Sequence, residues 1–181
     1  MISLTMPLRE EEIQSLTCGD IVSLSGIIYT ARDAAHKRLI ECIKQGDNLP
    51  FDVYNQGIYY VGPTPSKPGE IIGSAGPTTS YRMDDLTIPL LSLGLKVMIG
   101  KGKRSSKIVD SMQKYGAIYF AAIGGAGAYI SNSIVSCEII AYEDLGAEAI
   151  RRLEIKDLQL VVAIDSYGNS IYEEGRKCYA K

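Results

Sequence analysis

Three short segments of this chain pair a cation with a turn or a helix start, which is what a site for a small anion needs. The first is Tyr29-Thr30-Ala31-Arg32-Asp33-Ala34-Ala35-His36-Lys37-Arg38. It reads as a strand that delivers Arg32 to the start of a helix, with Asp33 as the expected cap. Helix starts attract anions because unpaired N–H groups and the helix dipole both point there. Arginine adds a planar fork that fits a carboxylate. A surface arginine beside an Asp cap would leave the same pattern. His36 is the one histidine of the chain, and a lone histidine on a helix serves a structural role as readily as it carries a proton.

The second segment is Gly76-Pro77-Thr78-Thr79-Ser80-Tyr81-Arg82-Met83-Asp84. Glycine and proline set a tight turn, three hydroxyls follow, and Arg82 lies just beyond. Hydroxyls and a guanidinium converging on one spot suit a small polar anion, although serine and threonine also serve in ordinary capped turns. The third is Gly100-Lys101-Gly102-Lys103. Its glycines let backbone approach a ligand closely, and Lys101 supplies a point charge. The spacing is not that of a phosphate-binding P-loop.

Other chemistries find less support. Gly124-Gly125-Ala126-Gly127 follows a candidate strand, but a dinucleotide fingerprint would need glycine where Ile130 stands. Cys18, Cys42, Cys137 and Cys178 form no close pair, so neither a metal ligand set nor a redox dithiol is apparent. They read as free, mostly buried thiols. The histidine has no serine or cysteine partner in a recognisable nucleophile signature. The residues therefore describe a chain that holds a small di-acid rather than one that attacks it.

These segments need a scaffold. Pro7 to Ile13 reads as a short helix, Ile21 to Tyr29 as a strand, and Asp33 onward as a helix with Leu39, Ile40 and Ile43 on its apolar face and Gly46 as its stop. Phe51 to Val61 reads as extended, Pro63, Pro65 and Pro68 as turns, and Glu70 to Ala75 as a short strand. Thr87 is expected to cap a helix with Pro89 in its first turn, ending at Gly94. Lys96 to Ile99 and Ala117 to Ile123 read as strands around a helix that runs from Ser105 or Ser106 to Gly116. A strand over Val135 to Tyr142, a helix around Ala147 to Leu153 and a strand over Leu158 to Asp165 complete the pattern. Strands alternate with helices, but some extended segments are adjacent in sequence, which predicts a layered α/β domain with a mixed sheet. Loops at strand-to-helix junctions are where such sheets hold ligands.

The composition sets outer bounds. The chain has 181 residues, 46% hydrophobic and 22% charged, with a formal net charge of −2. This fits one soluble globular domain over residues 1–181. Interspersed charge argues against nucleic acid as a partner, and no apolar run approaches the roughly 20 residues of a membrane span. The expected location is the cytoplasm.

Taken together, the segments Thr30–Lys37, Gly76–Met83 and Gly100–Gly102 resemble three signatures of the class I fumarase C-terminal domain, which also occurs as the beta subunit of two-chain fumarases and of L-tartrate dehydratase. Tyr142 to Ile150 resembles a further family segment, and the likeness runs in order from about Leu16 to Gly168. The resemblance implies a swivelling β/β/α domain related to the mobile domain of aconitase. It implies an alpha subunit as partner, bearing a four-iron, four-sulfur cluster, with the active site between the two chains. By motif, Arg32, Arg82, Lys101 and Thr78 would bind a dicarboxylate substrate, and Thr78 would be the candidate for proton transfer. Thr30, His36 and Thr79 would lie beside the site. The implied reaction is reversible hydration of fumarate to S-malate. L-tartrate dehydration, or a non-catalytic assembly role, are the alternatives. A surface meant for a partner could also let the isolated chain form a homo-oligomer.

Overall fold

The computed structural model describes residues 1–122 and 126–173. Gly124, Gly125 and Cys178 lie outside the described residues. The elements run β1 (Ile2–Thr5), α1 (Glu10–Ser15), β2 (Ile21–Thr30), α2 (Asp33–Gln45) and β3 (Gly57–Tyr59), then a 3-10 helix (Ser80–Met83) that leads into α3 (Asp84–Ser92). They continue with β4 (Val97–Gly100), α4 (Ser106–Tyr115), β5 (Ile118–Ala121), α5 (Gly127–Ser131), β6 (Ile134–Ala141), a second 3-10 helix (Glu143–Glu148) and β7 (Ile150–Ile164).

The mixed sheet expected from the alternating elements is present, with seven strands in the order β1-β2-β3-β4-β5-β7-β6. β2, β3, β4 and β5 are parallel neighbours. β7 runs antiparallel to β5 and, along its length, antiparallel to β2 as well. The pairings therefore return to β2, and the central five strands close on themselves. Closure removes sheet edges and leaves an inside and an outside.

Side chains alternate between these two spaces with the period of a strand. On β4, Val97 and Ile99 join the inner cluster with Leu24, Ile28 and Phe120, while Met98 joins the outer one. On β5, Ile118 and Phe120 point in and Tyr119 points out. The outer cluster is where α2, α3 and α4 pack, through Leu39, Leu90, Leu91, Ile108 and Met112. With both faces covered, β4 is buried at all four residues, as expected of a strand inside a parallel sheet. At Gly26, β2 has a positive φ of 105° and its register with β7 shifts. A side chain there would meet the Met6 carbonyl oxygen at 2.8 Å, so glycine lets β1 and its exit segment lie against the bulge.

Four local expectations change. β1 is an extra strand, invisible in sequence because only Leu4 of its four residues is buried. Glu70 to Ala75 forms no strand; it folds back on the proline turn, where Ser74 N–H donates to Thr64 Oγ1 at 2.8 Å. Thr87 is not a cap but lies buried inside α3, which starts at Asp84 and carries Pro89 in its interior. The helix expected around Ala147 to Leu153 is instead the end of a 3-10 helix and the start of β7. There Ile150, Leu153 and Ile155 are buried, and pairing with β2 and β6 overrides helical propensity.

Candidate functional site

The C-terminal ends of the parallel strands β2 and β4 carry the first and third junctions, and the loop after β3 carries the second. Backbone bonds bring the second and third together. Thr79 and Lys101 form a parallel bridge, Ser80 N–H donates to the Lys101 carbonyl at 3.0 Å, and Lys101 N–H donates to Ser80 Oγ at 3.1 Å. Gly100 makes this approach possible: a Cβ there would stand 2.0 Å from Ser80 Oγ. Thr78 N–H is committed to the Tyr60 carbonyl at 2.7 Å. The residue is half-buried, and its hydroxyl makes no hydrogen bond to the described residues.

Side chains bring in the first junction. Arg32 and Arg82 both reach Asp33 Oδ2, with Nη2 atoms at 3.6 and 3.4 Å. Arg32 Nη2 is also 3.4 Å from Glu148 Oε1. Glu148 Oε2 accepts from Ala34 N–H at 2.7 Å. The cap of α2 is therefore not Asp33, which is the first helical residue, but Glu148, 114 positions away in sequence. The helix start is already occupied by a carboxylate of the chain, and the Arg32 side chain beside it is 23% exposed. Its guanidinium lies against Gly62, where a Cβ would be 2.8 Å from Nη1. Arg32 Nε and Asp33 Oδ2 are buried without a hydrogen-bond partner among the described residues, so the pair retains unused bonding capacity. Among the described residues no carboxylate lies within ion-pair distance of Lys101. Two arginines and one lysine thus stand against two carboxylates, leaving an excess of positive charge for an anion.

The flanking threonines and the histidine behave differently. Thr30 is fully buried, donating to the Ala149 carbonyl at 3.2 Å and accepting from Arg151 N–H at 2.9 Å. It ties β2 to β7 and cannot face a ligand. Thr79 is half-buried at the bridge to Lys101. His36 is fully buried. Its Nδ1 lies 2.9 Å from the Arg32 carbonyl, which can only accept, so Nδ1 carries the proton and Nε2 is bare. Burial pushes the imidazole down to about 4; the bond to Arg32 acts the other way, and the Arg104 charge adds to the lowering.

A neutral buried histidine makes stability depend on pH. Between pH 6.5 and about 4 the unfolded chain takes up a proton at this residue and the folded chain does not. Stability present above pH 6.5 is therefore lost as pH falls through that window. The size is on the order of 3 kcal/mol, at about 1.4 kcal/mol per pH unit. Urea unfolding at pH 7.5 and pH 4 should show a clearly smaller loss for His36→Leu than for the parent chain. Parallel losses in the two proteins would mean that the imidazole is charged in the fold.

Sequence reading missed the residues beneath the loops. The Arg104 side chain is fully buried, its Nε 2.5 Å from Asp84 Oδ1. Its guanidinium lies over the rings of Tyr60 and Tyr119, at 5.3 and 4.8 Å. Asp84 Oδ2 accepts from Ser105 N–H at 2.7 Å. Arg104 stands three positions past Lys101, and only its burial separates it from an ordinary basic loop residue.

Residues 1–175 match the family described as Fumarase C-terminus. The chain belongs to the fumarase C-terminal family. A Methanocaldococcus jannaschii protein provisionally named L(+)-tartrate dehydratase subunit beta is 40% identical, covering 96% of this chain and 93% of that one. The aerobic class I fumarate hydratase of Escherichia coli is 34% identical over 96% of this chain and 32% of its own length. Fumarate hydratase 1, mitochondrial, of Leishmania major is 35% identical over 96% and 32%. The chain thus spans nearly all of the archaeal relative and about a third of the fumarases it matches. Both names denote hydro-lyases, so the fumarase C-terminal family is a hydro-lyase family. No helix among the described residues is long and apolar enough to cross a membrane.

Proposed function

We propose that this chain is the beta subunit of a two-chain iron–sulfur hydro-lyase, supplying the carboxylate-binding side of a site that hydrates fumarate to S-malate. The observation that carries the reading is the meeting of Arg32 and Arg82 at Asp33, with Lys101 bonded to the loop between Thr78 and Arg82. Three cations from three junctions suit a dianion better than any single-anion ligand.

Cys18 lies in the turn before β2, Cys42 on α2 and Cys137 on β6, and among the described residues no three His, Cys, Asp or Glu side chains gather to hold a metal. The described residues offer no ligand set for a four-iron cluster, and the proposal places it on the alpha subunit. When bound there it would supply Lewis acidity toward substrate oxygens. On this chain, the Arg32 and Arg82 guanidinium groups bind the carboxylates and stabilise the charge that grows on one of them as the adjacent carbon loses its proton. Thr78 offers a hydroxyl that can take the proton from that carbon while passing its own to an acidic group of the alpha subunit. Threonine is a weak base unless activated, so its role is to relay the proton rather than to keep it.

The archaeal relative favours a second reading, L-tartrate as substrate, because that match alone among those described runs over nearly the full length of both chains. Purified alone, the chain should turn over neither substrate. Produced together with a cluster-bearing alpha-type partner, it should interconvert fumarate and S-malate. Faster turnover of tartrate would transfer the assignment to the dehydratase. A stable complex with an intact cluster and no activity on either would reduce the chain to an assembly subunit.

A further inference from the structure

The hydrogen bonds under the second and third junctions form one connected set. Arg104 Nη2 donates to Tyr60 OH at 3.4 Å, and Tyr60 OH and Thr87 Oγ1 are 3.0 Å apart. Thr87 has one hydroxyl hydrogen and gives it to the Met83 carbonyl at 2.8 Å, so Tyr60 is the donor to Thr87. Met83 adjoins Arg82. His36 Nδ1–H bonds the carbonyl of Arg32, but its bare Nε2 lies 3.4 Å from Thr87 Oγ1 with no hydrogen to share, so the hydrogen-bonded series ends at Thr87. At the other end, Asp84 holds Arg104 Nε and Ser105 N–H, and Tyr119 OH donates to the Gly102 carbonyl at 3.1 Å. Every side chain in the series is buried.

We infer that Arg104, Asp84, Tyr60 and Thr87 are positioning residues, a buried polar connection that holds Arg82 and Lys101 at fixed mutual spacing. This rests on the carboxylate-binding reading above. The four residues touch no ligand; they act through the backbone of the two that do. A buried ion pair is seldom more stabilising than apolar side chains of the same volume. Its directional bonds, however, fix where the Lys101 loop sits relative to the helix turn carrying Arg82. A lysine and an arginine on separate loops could otherwise drift by an ångström, enough to lose much of the advantage of orientation.

The test uses Tyr60→Phe and Thr87→Val, each of which keeps side-chain bulk and removes a hydroxyl from the middle of the series. Ile155→Val, in the inner cluster, serves as a control for general loss of stability. In the full-length chain, NMR hydrogen exchange is read at the Lys101 and Ser80 amides, which bond across the two loops. Exchange should quicken about tenfold in both hydroxyl variants, the equivalent of one buried hydrogen bond, and stay near the parent value in Ile155→Val. In the two-chain complex, the hydroxyl variants should raise KM for fumarate more than they lower kcat, and Ile155→Val should change neither. Unchanged exchange at both amides overturns the inference. So does quickened exchange with parental kinetics, provided that Arg82→Lys impairs turnover. If Arg82→Lys is also silent, the substrate reading falls, and the exchange result still decides whether these residues set the loop register.

Discussion

Replacing Arg32 or Arg82 by lysine should lower kcat/KM of the two-chain complex by roughly ten- to a hundredfold. A hydrogen bond to a charged group is worth about 1.5–3 kcal/mol, and tenfold in rate corresponds to about 1.4 kcal/mol. Lysine keeps the charge but loses the planar fork that fixes a carboxylate in orientation. Assembly and cluster content should stay normal, because neither side chain is proposed to touch iron. The two effects should combine to less than their product. Both guanidinium groups reach Asp33 Oδ2, so removing one changes the surroundings of the other, and sites that share a partner are not additive. Thr78→Ala should depress kcat more than it raises KM if the hydroxyl acts in the transition state. Near-parental kinetics in both lysine variants would reduce these junctions to capped turns.

Asp84→Ala should be the most destabilising of the single changes considered for this chain. It removes the carboxylate facing Arg104, whose side chain has no exposure to water. Desolvation works against that charge, but Tyr60, Asp84 and Tyr119 outweigh it and hold the guanidinium above its ordinary range. Without Asp84 a charge is left buried and Ser105 N–H loses its acceptor. Breaking such a pair from one side costs about 3–5 kcal/mol, or roughly 6–20 °C in Tm for a domain of this size. The double change Asp84→Ala with Arg104→Met should recover much of that loss, since no charge is then stranded. Thermal unfolding of the two variants decides it. A loss below about 1 kcal/mol in Asp84→Ala would mean that water reaches Arg104.

The separate roles of stability and positioning can be told apart in the same variants. The double variant should fold well yet bind substrate poorly, because methionine restores volume but not the bonds from Asp84 to Ser105 and from Arg104 to Tyr60. Recovery of both folding and KM would show that the polar groups do no more than fill space.

Much was legible in the residues alone. The strand expected over Ile21 to Tyr29, the helix that follows it and its stop at Gly46 are properties of local pattern, and they appear, the strand running one residue further to Thr30. The cations at the three junctions stand out because arginine and lysine beside glycine and hydroxyl residues are chemically conspicuous. What local pattern cannot carry is a partner distant in sequence. Glu148 caps α2 from 114 positions away, and nothing near Arg32 announces it. Residues 150–153 have the propensity of a helix, but the pairing of β7 with two strands at once turns them into sheet. Arg104 and Asp84 read as ordinary loop and helix-start charges, because burial is a property of the packed outer layer and not of either residue. Residue types and their spacing therefore determined which groups could grip a di-acid. Closure of the sheet and the packing of α2, α3 and α4 against it decided which of them meet. Long-range contact depends on the whole arrangement of the chain, while propensity and periodicity act over only a few residues.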